Sequence, residues 1–384
     1  MPSVVVAPDK FKGSLAAAEV AAHLAAGLRR GSPGLRVSEI PLADGGEGTV
    51  DAALSAGAHV REVRVTGPLG TPVDARYALA PNQGDGPTAV LEMALASGLS
   101  YTAADDRSAR ESTSFGTGEL ISDALDAGAR RIVLGVGGSA STDGGAGLIA
   151  ALGGRLLDCG GADLAHGGDA LRRLARVDLT GLDRRLGPVE VVLAADVENP
   201  LLGATGAAAV YSAQKGAGAH TVADLEAGLN RWVEALAEAG VEGARSAAWQ
   251  PGAGAAGGVG YAAQLLLGAH RRRGIEMVLE LTGFGAALEG SVLVVTGEGS
   301  LDEQSLFGKT PVGVAAAARA AGVPTIAVAG RTTLSRDELT AHGFADRYLL
   351  TEFEPDVAVC LAEAGRLLED VGERIAVDHV QETR

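Results

Sequence analysis

The sequence is poor in aromatic residues and in cysteine, and it has no long apolar run. Aromatic residues make up only 3 % of the 384 residues, which argues against the stacking platforms that bind single-stranded nucleic acid. The two cysteines, Cys159 and Cys360, fit no metal or redox spacing. No apolar run approaches the roughly 20 residues of a membrane-spanning helix. We therefore expect a cytoplasmic protein without a membrane segment.

Positive charge is also scarce. There are 32 Lys and Arg residues against 48 Asp and Glu residues, so the formal net charge is −16. This balance argues against binding to nucleic acid or to an anionic lipid surface. The N-terminal sequence has no basic stretch of the kind that begins a signal peptide. We expect a monomer or homodimer whose partners are small molecules.

Lysine occurs only four times, at Lys10, Lys12, Lys215 and Lys309, and each lies beside a glycine-containing loop. The ammonium group is a compact point charge that suits phosphate oxygens. These positions favour anion-binding loops, although surface loops are also the ordinary place for lysine.

Glycine is abundant, with 56 residues, about twice its average share. Short apolar runs alternate with helical patterns, which is typical of an α/β fold. Glycine-rich loops follow the predicted strands that end at positions 7, 42, 136, 195 and 296. Ligands of open α/β sheets bind at such carboxyl ends, and backbone N–H groups in glycine loops bind phosphate.

Carboxylates occur in the same loops, where they are candidates to bind Mg²⁺ or to accept a hydroxyl proton during phosphoryl transfer. Acidic side chains also cap helices, which is the competing interpretation for Asp44 and Asp143. The loop carboxylates are Asp9, Asp44, Glu47, Asp143, Asp196, Glu298 and Asp302.

Two segments match generic nucleotide motifs only in part. Residues 135–140 fit G-x-G-x-x-A, with Asp158 about twenty residues further on, but 155–158 is a poor second strand. Residues 308–310 resemble the end of a P-loop, yet Glu303 stands where that motif needs glycine. Neither segment is a standard dinucleotide or Walker motif.

A set of longer motifs runs from the first strand to about residue 330. They include APDKFKGSL from position 7, PLADGGEGT from 41, FGTGELI from 115, AQKGA from 213, PGAGAAGG from 251 and TGEG from 296. Together they resemble the motifs of bacterial glycerate kinases of the first type. The sequence departs from that family's pattern at Ser141-Thr142-Asp143 and at Tyr211-Ser212.

The resemblance implies ATP-dependent phosphorylation of D-glycerate, usually at the 2-hydroxyl, with Mg²⁺; such an enzyme is a phosphotransferase with an alcohol group as acceptor. Phosphorylation at the 3-hydroxyl remains open. Two competing functions also remain open, a nicotinamide-dependent reductase of a small hydroxy acid and a non-catalytic sensor of glycerate or ATP.

The resemblance also implies two α/β domains with the active site between them. We expect a doubly wound, flavodoxin- or Rossmann-like domain built from residues 1–65 and 290–384. The inserted α/β domain should cover residues 66–289.

Site residues are assigned on the matched motifs. We expect the catalytic residues to be Asp196, as general base, with Lys10 and Lys12. Substrate-binding residues are expected at Ser14, Asp44, Gly45, Gly46 and Glu47. Asp44 and Asp302 are the expected Mg²⁺ ligands. The expected nucleotide-binding residues are Gly137, Gly138, Ser139, Ser141, Asp143, Gly144, Thr296, Gly297, Glu298, Gly299 and Lys309.

Overall fold

The protein is described from a computed structural model, which covers residues 2–81, 86–307 and 309–380. Gly308 of the Gly-Lys-Thr segment lies outside the described residues. The strands are β1 (Ser3–Val6), β2 (Arg36–Glu39), β3 (His59–Thr66), β4 (Pro72–Ala80), β5 (Thr88–Glu92), β6 (Arg131–Gly135), β7 (Arg155–Leu157), β8 (Arg176–Asp178), β9 (Glu190–Ala194), β10 (His270–Arg272), β11 (Ser291–Leu301), β12 (Thr325–Thr332) and β13 (Phe344–Leu349).

Helices connect most of these strands, and the α/β class predicted from the sequence is confirmed. The helices are α1 (Ala17–Gly31), α2 (Thr49–Ser55), α3 (Ala94–Ser97), α4 (Asp106–Glu111), α5 (Phe115–Asp126), α6 (Ala146–Ala151), α7 (Ala207–Tyr211), α8 (Ala219–Glu238), α9 (Ala244–Ala247), α10 (Ala255–Leu266), α11 (Gly274–Leu281), α12 (Phe284–Ala287), α13 (Thr310–Ala320), α14 (Arg336–Ala341), α15 (Leu350–Phe353), α16 (Val357–Ala362) and α17 (Ala364–His379). Short 3-10 turns cover Leu99–Tyr101, Asp169–Arg173, Arg184–Leu186, Ala213–Lys215 and Glu303–Phe307. In the described ranges, no helix is both long and apolar enough to cross a bilayer.

The chain divides into two compact units. Unit 1 contains Met1–Asp44, Asp51–Gly57 and Arg273–Arg384, and unit 2 contains Gly45–Val50 and Ala58–Arg272. Unit 1 therefore combines three segments, of which the last is far from the other two in the sequence.

The sheet of unit 1 is parallel and has the order β13-β12-β11-β1-β2. If its strands are numbered within the unit, the order is 5-4-3-1-2, which is the flavodoxin-like arrangement. The chain leaves β1 toward β2 on one side and returns at β11 on the other. Ligands of such sheets bind at this switch point, beside the carboxyl ends of the two central strands.

Helices cover both faces of the unit 1 sheet. On one face, Val20, Leu24 and Leu28 of α1 are fully buried, as their helical spacing predicts. They belong to a core that includes Leu368 and Val371 of α17. On the other face, residues of α11 and α13 pack with Val5 and Val294 in a second core. These two layers hold the loops at the carboxyl edge in place.

Unit 2 has a six-stranded sheet with the order β10-β9-β6-β5-β4-β3, in which β3 and β4 form an antiparallel hairpin. The stripe on α8 that contains Leu225, Leu229 and Trp232 is buried in its core. Strand β7 pairs with β8 in a separate two-stranded antiparallel sheet. Residues 155–157 therefore do not form the second parallel strand that a dinucleotide fold needs.

One local prediction was wrong. Residues 296–299 do not form a loop, because β11 continues to Leu301 and pairs with β12 as far as Thr332. Gly297 permits this pairing, since a Cβ atom there would clash with the Val328 carbonyl. Helix α1 begins at Ala17, with Ala16 as its N-cap. The hydroxyl of Ser14, in the loop before this helix, donates to the Leu361 carbonyl at 2.8 Å.

Candidate active site

A cavity of about 590 Å³ lies at the carboxyl edge of the unit 1 sheet. It is lined by residues that follow or end β1, β2, β11, β12 and β13. Three of the four lysines, Lys10, Lys12 and Lys309, contribute to its wall. The carboxylates that line it are Asp9, Asp44, Glu298 and Asp302. Opposite charges thus meet at the switch point of the sheet.

Short contacts fix the first loop against the end of β11. The Thr296 hydroxyl donates to the Ala7 carbonyl at 2.6 Å, and the Asp9 N–H donates to the Gly297 carbonyl at 2.8 Å. A Cβ atom at Gly299 would lie 3.2 Å from the backbone nitrogen of Lys12. This glycine therefore lets the loop that carries Lys10 and Lys12 approach β11 closely. Thr296 and Gly297 therefore position the site rather than line it.

Asp9 is held by two donors. The Thr310 hydroxyl donates to its Oδ2 at 2.7 Å, and the Lys10 N–H donates to its Oδ1 at 2.7 Å. Burial, together with the charge of Asp44, nevertheless raises the pKa of Asp9 to about 6. The donors oppose this shift because they favour the ionised form.

Glu298 has a similar environment with fewer partners. Burial raises its pKa to about 7, while Ser305 and the Lys309 charge act in the opposite direction. Its Oε1 atom is buried and has no hydrogen-bond partner among the residues that the structure describes. A carboxylate that exchanges a proton near neutral pH in a charged cavity is suited to acid–base chemistry.

Lys309 stands immediately before α13. It is the N-cap residue of this helix, with Pro311 in the first turn. The first N–H groups of a helix lack intrahelical acceptors and carry partial positive charge, so they bind anions. Nearby, Asp302 and Ser305 close a turn in which each backbone N–H donates to the other's side chain, at 3.1 and 3.2 Å.

A second group of predicted residues lies at the carboxyl edge of the unit 2 sheet. The Glu92 carboxylate accepts hydrogen bonds from Gly48 and Val50 at 3.1 and 2.6 Å, which holds the 45–50 turn. A Cβ atom at Gly137 would lie 2.9 Å from the Gly46 Cα atom, so the two loops are in close contact. Asp196 is exposed and follows β9, next to β6 in this sheet. The predicted residues at this edge are Gly45, Gly46, Glu47, Gly137, Gly138 and Asp196.

In the rest of the 137–145 loop, polar groups make hydrogen bonds to other groups of the protein. The Asp143 carboxylate is buried and accepts from the Ser114 N–H at 2.8 Å, the Ser114 hydroxyl at 2.9 Å and the Gly147 N–H at 3.2 Å. Lys215 is fully buried and donates to the Ser139 hydroxyl at 3.0 Å and the Ser141 carbonyl at 2.6 Å. Burial lowers its pKa to about 7. Asp143 thus acts as a structural anchor at the start of α6, close to the capping role that acidic side chains often have.

Thr310 and Arg331 lie in or beside the unit 1 cavity, although the sequence predicts no site role for them. Asp9 also lines this cavity, and the sequence predicts it only as one of the loop carboxylates. The sequence could have predicted a site role for Asp9 in particular, because this carboxylate lies between the first predicted strand and Lys10. The contact between Thr310 and Asp9 spans 301 positions and has no local signature. Arg331 lies near the C-terminal end of β12.

The strand order and the cavity define an α/β protein with a cavity lined by lysines and carboxylates at its switch point. Comparisons with known proteins narrow this class. Residues 4–379 match the model of the glycerate kinase family, and the chain belongs to that family.

Several relatives cover most of the chain. A glycerate kinase of Bacillus subtilis strain 168 is 46 % identical over 341 residues, 88 % of each chain. The glycerate 2-kinase of Escherichia coli K12 is 43 % identical over 342 residues, again 88 % of each. A crystal structure from Salmonella typhimurium LT2, provisionally named glycerate kinase 2, has a TM-score of 0.83 and 41 % identity, and covers 98 % of this chain and 97 % of its own.

Proposed function

We propose that the protein transfers the γ-phosphoryl group of ATP to the 2-hydroxyl of D-glycerate, giving 2-phosphoglycerate and ADP. The observation that supports this is the unit 1 cavity, where three of the chain's four lysines meet a helix N-terminus and several carboxylates. Both substrates are anions, and the net charge of −16 would repel them without such a local cationic surface.

The proposed roles follow the chemistry of each group. Lys10, Lys12 and Ser14 hold the glycerate carboxylate or the phosphoryl group in transfer. Lys309 and the first N–H groups of α13 hold the nucleotide phosphates. The Gly45–Glu47 turn orients the glycerate hydroxyls, and the exposed backbone at 137–138 offers further N–H donors.

The donor set also suits Mg²⁺. Asp44 and Asp302 line the cavity, and the Oε1 atom of Glu298, which has no partner in the described part of the chain, adds a further oxygen. The described residues contain no ready-made group of three metal-binding side chains, but Mg²⁺ is usually held by one or two carboxylates, phosphate oxygens and water. When bound, Mg²⁺ neutralises charge on the phosphate oxygens. We propose Asp44 and Asp302 as its ligands.

The glycerate hydroxyl must lose its proton during the transfer. Asp196 is one proposed acceptor, because it is exposed at the carboxyl end of a buried strand. Glu298 is the other, because its pKa of about 7 suits proton transfer at neutral pH.

An ADP-release assay with D-glycerate tests this function. The product should be consumed directly by enolase, without added phosphoglycerate mutase, and chelation of Mg²⁺ should stop turnover. A product that needs the mutase would indicate transfer to the 3-hydroxyl. No ADP release with any small hydroxy acid would overturn the kinase assignment, and NADH bound with a fluorescence change would favour a reductase.

A further inference from the structure

The unit 1 cavity has an apolar wall that the proposed phosphate and glycerate contacts leave unused. It is formed by residues at i, i+3, i+4 and i+7 along α16 and the start of α17, facing Leu350. Val357 and Leu361 are 44 % and 49 % exposed, an unusual exposure for large apolar side chains that line a cavity. The members of this wall are Leu350, Val357, Cys360, Leu361 and Ala364.

The wall is held by its own hydrogen bonds. The Asp356 carboxylate caps α16 by accepting from the Ala358 N–H at 2.8 Å. The Ser14 hydroxyl donates to the Leu361 carbonyl at 2.8 Å, which ties the helix to the loop that carries Lys10 and Lys12. The apolar wall and the charged end are therefore parts of one fixed cavity.

The size of the cavity exceeds the needs of a three-carbon acid. At about 590 Å³ it falls within the range of about 300–1,000 Å³ that is typical of sites for drug-sized ligands. Its lining combines Lys309, at the N-terminus of α13, with the apolar wall. A nucleoside triphosphate combines the same two properties, because it has an anionic phosphate chain and a flat, weakly polar ring.

We propose that the wall formed by Leu350, Val357, Cys360, Leu361 and Ala364 is the binding site for the purine ring of the nucleotide, a refinement that rests on the proposed kinase function. Arg331 and Thr351, which also line the cavity, supply polar groups for the ribose or the ring edge. The glycine loop at 137–145 then has no role in binding the base, in keeping with its internally bonded Asp143 and Lys215.

Calorimetric titration of ADP and of inorganic tripolyphosphate, without any turnover, tests this site. Leu361→Gln and Val357→Gln replace exposed apolar side chains by neutral polar ones. Each should weaken ADP binding roughly tenfold and leave tripolyphosphate binding and the KM for D-glycerate within about twofold. Val377→Gln on α17 is the matched control, because Val377 is 65 % exposed and does not line the cavity.

Unchanged ADP affinity in both variants would overturn the purine site, as would an equal loss of tripolyphosphate affinity. Failure of the wild-type protein to phosphorylate glycerate would instead count against the proposed function, because ADP binding is measured independently. Thermal unfolding of each variant shows whether it is folded. Two variants at separate positions keep the test available if one of them is unstable.

Discussion

The Thr310 hydroxyl donates a hydrogen bond of 2.7 Å to Asp9, linking the first residue of α13 to the loop after β1. The two residues lie 301 positions apart. The bond favours the ionised carboxylate, while burial and Asp44 raise the pKa of Asp9 to about 6. This hydrogen bond therefore contributes most to the stability of the fold when Asp9 is charged.

Thr310→Val should destabilise the protein in a pH-dependent way. Above about pH 6 the variant leaves a buried charge without one of its donors, at a cost of about 1–3 kcal/mol. Below that pH, Asp9 is protonated and the loss should shrink. Thermal unfolding at pH 5 and pH 8 measures the difference, with Thr310→Ser as the control that keeps the hydroxyl. Equal destabilisation at both pH values would contradict this interpretation.

Glu298→Gln should stabilise the fold at alkaline pH. Burial raises the pKa of Glu298 from 4.5 to about 7, so between these values the folded state keeps a proton that the unfolded state has released. Folding becomes less favourable as the pH rises through this window. At pH 8 the variant should melt roughly 2–5 °C higher than the wild type, and at pH 4 the gap should close.

The matched control is Glu303→Gln, because Glu303 is exposed on the neighbouring turn. It should leave the melting temperature unchanged at both pH values. A stabilisation by Glu298→Gln that persists at pH 4 would mean that burial of charge is not its cause.

The same Glu298 substitution distinguishes the two candidate proton acceptors. If Glu298 accepts the proton, wild-type kcat should fall as the pH drops through about 7. Glu298→Gln should then lower kcat by a factor of about 10²–10⁴ and abolish the fall of kcat at acidic pH, which is the acidic limb of the pH profile. If Asp196 is the acceptor, Asp196→Asn carries the loss of kcat and Glu298→Gln keeps the limb. Affinity for ADP should be retained in whichever variant has lost the base alone.

Lys309→Ala should lower kcat/KM by two or more orders of magnitude, roughly 3 kcal/mol of transition-state stabilisation. Lys309→Arg should restore only part of it, because a planar guanidinium does not replace a point charge. Arg319→Ala, at the exposed far end of the same helix, provides the control. Near wild-type kinetics in Lys309→Ala would exclude a role in phosphate binding.

Much of the fold could be predicted from local patterns, because β1, the first half of β11 and the first half of β12 are short apolar runs. The extension of β11 could not, since TGEG at 296–299 has the composition of a turn. Only the approach of β12, which needs a glycine at 297, makes it a strand. Similarly, the sequence of residues 357–377 has the pattern of a single helix, but the structure has two helices, α16 and α17, that are separated at Glu363. No glycine or proline stands at Glu363 to predict the end of α16.

The candidate site likewise has features that the sequence could predict and features that it could not. Lys10, Lys12 and Lys309 could be singled out because lysine is so rare in this sequence and because each lies beside a glycine loop. The raised pKa values of Asp9 and Glu298 could not, since they arise from burial and from charges distant in sequence. The anchoring of Asp143 by Ser114 likewise depends on how α5 packs against the loop.

The central position of β1 affects how the protein is made on the ribosome. β1 lies between β2 and β11, so one of its edges stays unpaired until residues 291–295 have been synthesised. Unit 2, in contrast, takes nearly all of its residues from the continuous segment Ala58–Arg272 and can complete its sheet earlier. The cavity between Asp9 and Ala364 is assembled last. Lys10 and Lys12 are therefore synthesised early, but the cavity that they line is not assembled until translation has passed Ala364.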